Sequence, residues 1–123
     1  MLTAELKKYL AERGYANIYC NFMPGETVQP EAINLSEWDS VANSYGTGDG
    51  SHYIQIQVRR YEYGEAHEVC KSIFELLNSG VDEKTFNFGG KIYICRQRRG
   101  PLLLERTEHT TTVYCEIVAF GDI

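Results

Sequence analysis

Hydrophobic positions in this chain change period several times, and each change marks an element. Leu2, Leu6, Tyr9, Leu10 and Arg13 form one stripe at helical spacing. Thr3 is the expected cap, Glu5 sits near the positive end of the helix, and Gly14 supplies a stop. NIYCNFM then alternates Ile18, Cys20 and Phe22 against Tyr19, Asn21 and Met23, which is strand periodicity, before Pro24-Gly25 turns the chain. AINLSEW, residues 32–38, predicts a second and weaker strand. Asp39 to Gly50 is rich in Ser, Asn, Gly and Asp and predicts a long loop. SHYIQIQVRR places Ile54, Ile56 and Val58 on one side and Tyr53, Gln55, Gln57 and Arg59 on the other. The strongest helix is predicted over 62–79, where Ala66, Val69, Cys70, Ile73, Phe74 and Leu77 share a face. TFNF, Gly89-Gly90 and KIYICRQ predict a hairpin, Gly100-Pro101 is expected to break the chain, and TTTVYCEIVAF closes as a β-branched strand.

The order α-β-β-β-α-β-β-β predicts a single α+β domain over residues 1–123. It would have two layers: a mixed, mostly antiparallel sheet of about six strands with two helices on one face. The path from 51–60 through the helix to 85–88 predicts a right-handed crossover. Ile18, Cys20, Phe22, Ile54, Ile56, Val58, Val113, Cys115 and Ile117 would form the aliphatic face. The opposite face would carry Tyr19, Tyr53, Tyr93 and Tyr114. Such a face reads either as a solvated sheet of ordinary strand composition or as a surface that docks protein, since tyrosine joins apolar area to a polar tip.

Composition narrows the function classes. Twelve Lys and Arg against 17 Asp and Glu give a net charge of -5, which argues against a strongly basic nucleic-acid binder. No apolar run approaches the ~18–20 residues of a membrane helix. MLTAELKKYLAERG carries charges every few residues, so it is not expected to be a secretory signal. Cys20, Cys70, Cys95 and Cys115 lie too far apart for a CxxC motif; free thiols filling the core of a protein in a reducing compartment are expected.

Few residues point to chemistry. His67 and Cys70 stand three apart and would be half of a metal site, but no second pair matches them, so no metal and no cofactor are expected. GTGDG, from Gly46 to Gly50, lacks the lysine of a phosphate loop and precedes a strand rather than a helix. No cysteine sits at a turn that would activate it, so no catalytic residues are assigned. Arg96, Arg98 and Arg99 form the basic cluster CRQRRG. It reads as a charged strand end that protects a sheet edge, or as a contact for an acidic partner or passing nucleic acid.

Taken together, YANIYCNFMPGE, the Ser/Gly-rich loop, SHYIQIQVRRYEYGEAHEVCKSIFELLNS and the GG hairpin ending KIYICRQRRGPLLLER resemble the minor capsid and tail terminator proteins of tailed bacteriophages and prophages. Tyr63, Ala66 and Ile73 in the helix and the element from Pro101 to Arg106 carry the resemblance most clearly, and it spans about residues 1–120. It implies a non-enzymatic α+β subunit of a ring, commonly hexameric, at the head-proximal end of the tail tube. Such a ring ends tube polymerisation and joins the tail to the head. The implied partners are other copies of the chain, the tail tube protein and the head completion protein, with no membrane and no sequence-specific nucleic acid. The implied location is the virion neck, and the host cytoplasm during assembly. A long loop is a natural contact element, and Tyr45, its one large residue, is the expected anchor. A small cytoplasmic binding module, or an enzyme using Cys and His on an unidentified substrate, are the competing expectations.

Overall fold

The computed structural model describes residues 2–42 and 50–121, those from 38 to 42 by their backbone. Helix α1 (Leu2–Glu12) leads to strand β1 (Ile18–Cys20), then β2 (Ala32–Ala42) and β3 (Gly50–Arg60); helix α2 (Tyr63–Leu76) precedes β4 (Thr85–Phe88), β5 (Lys91–Arg106) and β6 (Thr111–Gly121). The predicted α+β order is therefore the observed one. The six strands form one sheet in the order β1-β2-β3-β6-β5-β4, parallel between β1 and β2 and antiparallel elsewhere.

One buried cluster holds the two layers together. Leu2, Leu6 and Leu10 of α1 and Ala66, Cys70 and Ile73 of α2 meet Ile33, Leu35, Ile54, Ile56, Val58, Val113, Cys115 and Ile117 of the sheet. Both helices thus lie on one face. α2 covers β3, β6 and β5, while α1 touches β1 and β2 at one edge and β4 at the other. A single helix reaching both edges requires the sheet to curl around it, as the accumulated right-handed twist of six strands allows. Tyr9 marks the join, with its ring edge-on to Phe86 and Phe88 of β4 at 5.9 and 5.1 Å.

Several expectations need correcting. α1 begins at Leu2, so Thr3 lies inside the first turn, fully buried, rather than capping it from outside. β1 ends at Cys20 because Asn21 takes a positive φ of 56°; Phe22 consequently leaves the aliphatic face and is 59 % exposed. The strand expected over 32–38 runs to Ala42, and β3 begins at Gly50, so both ends of the expected loop are strand. Gly100-Pro101 does not break the chain. It sits within β5 as a local irregularity, with a cis peptide and Gly100 at φ 103°, and pairing with β6 resumes at Leu102. Finally, three successive antiparallel pairings make β4 antiparallel to β3, so the α2 connection is not the parallel crossover expected.

The connection from β1 to β2 folds back as a strap, and one buried side chain holds it down. Arg59 on β3 donates from Nε to the Pro30 carbonyl (3.0 Å) and from Nη2 to those of Pro24 and Gln29 (both 2.6 Å). The strap's other tie is Glu26, whose carboxylate accepts from the hydroxyls of Thr107 and Thr110 in the β5–β6 turn. The Thr110 bond, then the Thr107 bond, holds the Glu26 carboxyl below its ordinary value of 4.5. A carboxyl whose folded value is depressed contributes stability above its unfolded value and loses it as pH falls through the folded one. We therefore expect the urea stability of the wild type over Glu26→Gln to be full at pH 6 and to decline below pH 4.5; an advantage that persists unchanged to pH 3 would mean the carboxylate charge is irrelevant.

Candidate interaction sites

β4 pairs with β5 only along Thr85–Phe88 and Lys91–Ile94. Beyond this the outer edge of β5 has no partner strand among the described residues, although its inner edge stays paired with β6 out to Arg106. The result is an arm. Leu102, Leu103 and Leu104 lie on it, each nearly half exposed. Leu102 sits opposite Tyr114 and Leu103 opposite Val113, so adjacent leucines face opposite sides of the arm. Tyr61 and Tyr63, at the start of α2, add exposed aromatic area at this end of the molecule, and the Arg106 guanidinium lies 5.9 Å from the Tyr63 ring. An unpaired edge with contiguous apolar side chains is the feature that soluble proteins usually cover or blunt.

The arginines expected to meet an acidic partner are engaged within the chain. Arg96 reaches Glu83 at 3.5 Å and the Gly80 carbonyl at 3.2 Å. Arg98 and Arg99 both point at Glu116, at 3.3 and 3.9 Å, because the register shift between Gln97 and Arg99 brings consecutive residues to one side. Glu116 is nearly buried and ends a polar ladder across the convex face. Gln55 donates to it at 3.5 Å, Gln57 donates to Gln55 at 2.8 Å, and Asn34 donates to Gln57 at 3.3 Å. Four strands are thus tied by side chains on the face away from the helices, with Arg98 and Arg99 held to it by the Glu116 carboxylate.

Tyr19, Tyr53 and Tyr114 do share that convex face, by their pairing with Asn34, Val118 and Gln57. Tyr93 does not. It is 6 % exposed on the concave side with Cys95, and its ring packs between Phe88 (5.4 Å) and His52 (6.0 Å). KIYIC is apolar in both phases, so periodicity alone left its facing undetermined; Gly121, opposite Tyr93, leaves the space its ring occupies. Tyr45 lies outside the described residues.

At the end of the sheet opposite the arm, the concave face opens into a hollow of about 320 Å³ lined by Leu2, Glu5, His52, Phe88, Lys91 and Tyr93. His52 Nδ1 lies 3.1 Å from a carboxylate oxygen of Glu37. Burial, then the Glu37 and Glu5 carboxylates, pushes the Tyr93 hydroxyl above its ordinary value of 10. This pocket drew no signal in the sequence, because its members come from α1, β3, β4 and β5.

The cysteines are placed for packing. Cys70, Cys95 and Cys115 are buried, and Cys20 donates weakly to the Thr3 carbonyl at 3.4 Å. Burial pushes the Cys95 thiol up to about 12, and a hydrogen bond with Cys70, then burial, raises that of Cys115. Thiols held protonated in this way are weak nucleophiles. The His67 ring lies tilted against Tyr63, centroids 5.7 Å apart, and no three His, Cys, Asp or Glu side chains converge as metal ligands among the described residues. No protein-family model matches the chain, and neither does any curated protein.

Proposed function

We propose that this chain is a phage or prophage structural protein of the minor capsid and tail terminator type. Its copies close a ring, expected to hold six, at the head-proximal end of the tail tube, where they end tube growth and meet the head completion protein. The reading rests on the resemblance running along nearly the whole sequence. The observation that carries it is the β5 arm, an unpaired edge bearing three exposed leucines. A cyclic ring needs two different patches on each subunit, and a projecting strand suits one of them. The role needs no catalytic group, which agrees with thiols kept protonated in the core.

Leu103→Asp tests the reading. The side chain is half exposed, so the thermal midpoint is expected to move by only a degree or two, as exposed substitutions usually do. Assembly on tail tubes is expected to weaken by on the order of 1–2 kcal/mol per interface, summed around the ring. The two measurements are thermal melting and tube-length distribution by electron microscopy. Tubes capped at normal length by the variant would remove the arm, and with it this function.

A further inference from the structure

The ladder that holds the arm to β6 is interrupted. Register shifts fall between Gln97 and Arg99, between Arg99 and Leu102, and between Leu103 and Glu105. Each irregularity leaves a residue unpaired and bends the strand, so such a ladder fixes the direction of an edge poorly. The outer edge from Leu102 to Arg106 has no partner strand among the described residues. The ladder alone therefore does little to set where the three leucines stand.

A second tie reaches the arm from the strap between β1 and β2. Thr107 Oγ1 accepts from the backbone N–H groups of His109 (3.1 Å) and Thr110 (3.0 Å), which closes the β5–β6 turn, and donates its own proton to Glu26 at 2.8 Å. Thr110 Oγ1 donates to the same carboxylate oxygen, and Thr110 is buried although it belongs to a turn. Glu26 is placed in its turn by Arg59, whose guanidinium holds the carbonyls of Pro24 and Gln29 on either side of it. Between these two points Val28 and Gln29 both donate to the Gly25 carbonyl at 3.0 Å, which stiffens the segment that carries Glu26. An unbroken chain of bonds thus runs from β3 through the strap to the turn at the tip of the arm. Met23 of the strap and Leu104 of the arm also line one hollow of about 210 Å³, together with Arg59 and Thr112.

We propose that the strap is the device that orients the arm: Glu26 is a positioning residue that, backed by Arg59, holds the β5–β6 turn and so sets Leu102, Leu103 and Leu104 for the ring contact. The inference rests on the ring reading, in which the arm is one of the two docking patches. An edge ordered before it docks avoids the entropy of immobilising a loose segment on contact, so a tie remote from the leucines raises their affinity without touching the neighbour.

The test compares three variants of the full-length protein with the wild type, by amide exchange and by tube capping, at a temperature where all are folded. Glu26→Ala removes the acceptor of both hydroxyls, Glu26→Gln keeps one uncharged acceptor oxygen, and Gly90→Ala lowers stability in the hairpin at the other end of β5 without touching the strap. Glu26→Ala is expected to speed exchange about tenfold between Leu102–Arg106 and Thr111–Val113 with α2 unchanged, and to require about tenfold more protein to cap tubes. Glu26→Gln should fall between Glu26→Ala and the wild type, and Gly90→Ala should match the wild type in both measurements. Unchanged exchange in Glu26→Ala would mean that β6 alone holds the arm, and faster exchange with normal capping would mean that its placement is immaterial. An equal loss of capping in Gly90→Ala would reduce the effect to stability. Any of the three overturns the proposal. Failure of the ring reading is a separate result, normal capping by Leu103→Asp, and the exchange comparison still decides whether the strap holds the arm.

Discussion

Arg59→Met is expected to cost about 3 kcal/mol in urea unfolding at neutral pH. Methionine keeps the volume of the aliphatic stem but removes every donor. Three carbonyls, those of Pro24, Gln29 and Pro30, then lose a charged partner that holds each at 3.0 Å or closer. Hydrogen bonds to a charged group contribute roughly 1.5–3 kcal/mol each, but a strap that can lift into water recovers part of this, which sets the estimate near the value of one and a half such bonds. Arg59→Lys should recover less than half, since a single ammonium on a flexible stem does not reproduce the planar fork. A loss below 0.5 kcal/mol would show that the strap is held by its own turn and by Glu26 instead. The same variant should raise amide exchange across residues 21–31 more than in α2, because the strap opens first.

Gly100→Ala is expected to cost about 3 kcal/mol as well, through backbone rather than hydrogen bonding. Gly100 has φ 103°, and a Cβ there would lie 2.7 Å from the Tyr114 carbonyl oxygen and 2.8 Å from the Cys115 Cα. Both atoms belong to the main chain of β6, so no side chain can rotate aside; β5 must lift away from β6 at the base of the arm. Gly90→Ala is the control. Gly90 also has a positive φ, 88°, but nothing lies within 4 Å of the added carbon, so only the conformational cost of about 1 kcal/mol remains. Equal losses in the two variants would show that the close approach of β5 to β6 is immaterial. Because the arm is displaced, tube capping by Gly100→Ala should fall further than its stability loss alone explains.

Element identity was legible in the sequence wherever one face was apolar and the other polar. Ile54, Ile56 and Val58 alternate with Gln55, Gln57 and Arg59, and β3 emerges with that facing; Ala66, Cys70 and Ile73 recur at helical spacing, and α2 buries them. Register in such segments is determined by burial, since a slip of one residue would expose the whole apolar set. The Gly89-Gly90 turn, the core cysteines and the eight-element order follow from the same local rules.

Where both phases of a strand are apolar, the local pattern is silent, and tertiary packing decided. Tyr93 went to the concave side because Phe88, His52 and a glycine opposite made room for it there. Arg59 looked like one more residue of a solvated face until the strap folded over it and offered three carbonyls. Gly100-Pro101, a breaker in isolation, is carried inside β5 because β6 supplies a continuous partner on both sides of it. The two candidate sites were set at this level too. The hollow gathers side chains from four elements, and the arm exists because β4 is four residues long while β5 is sixteen. Amphipathic periodicity records which face of an element is buried; the length of a neighbouring strand, and the curl that brings distant residues together, are properties of the assembled sheet.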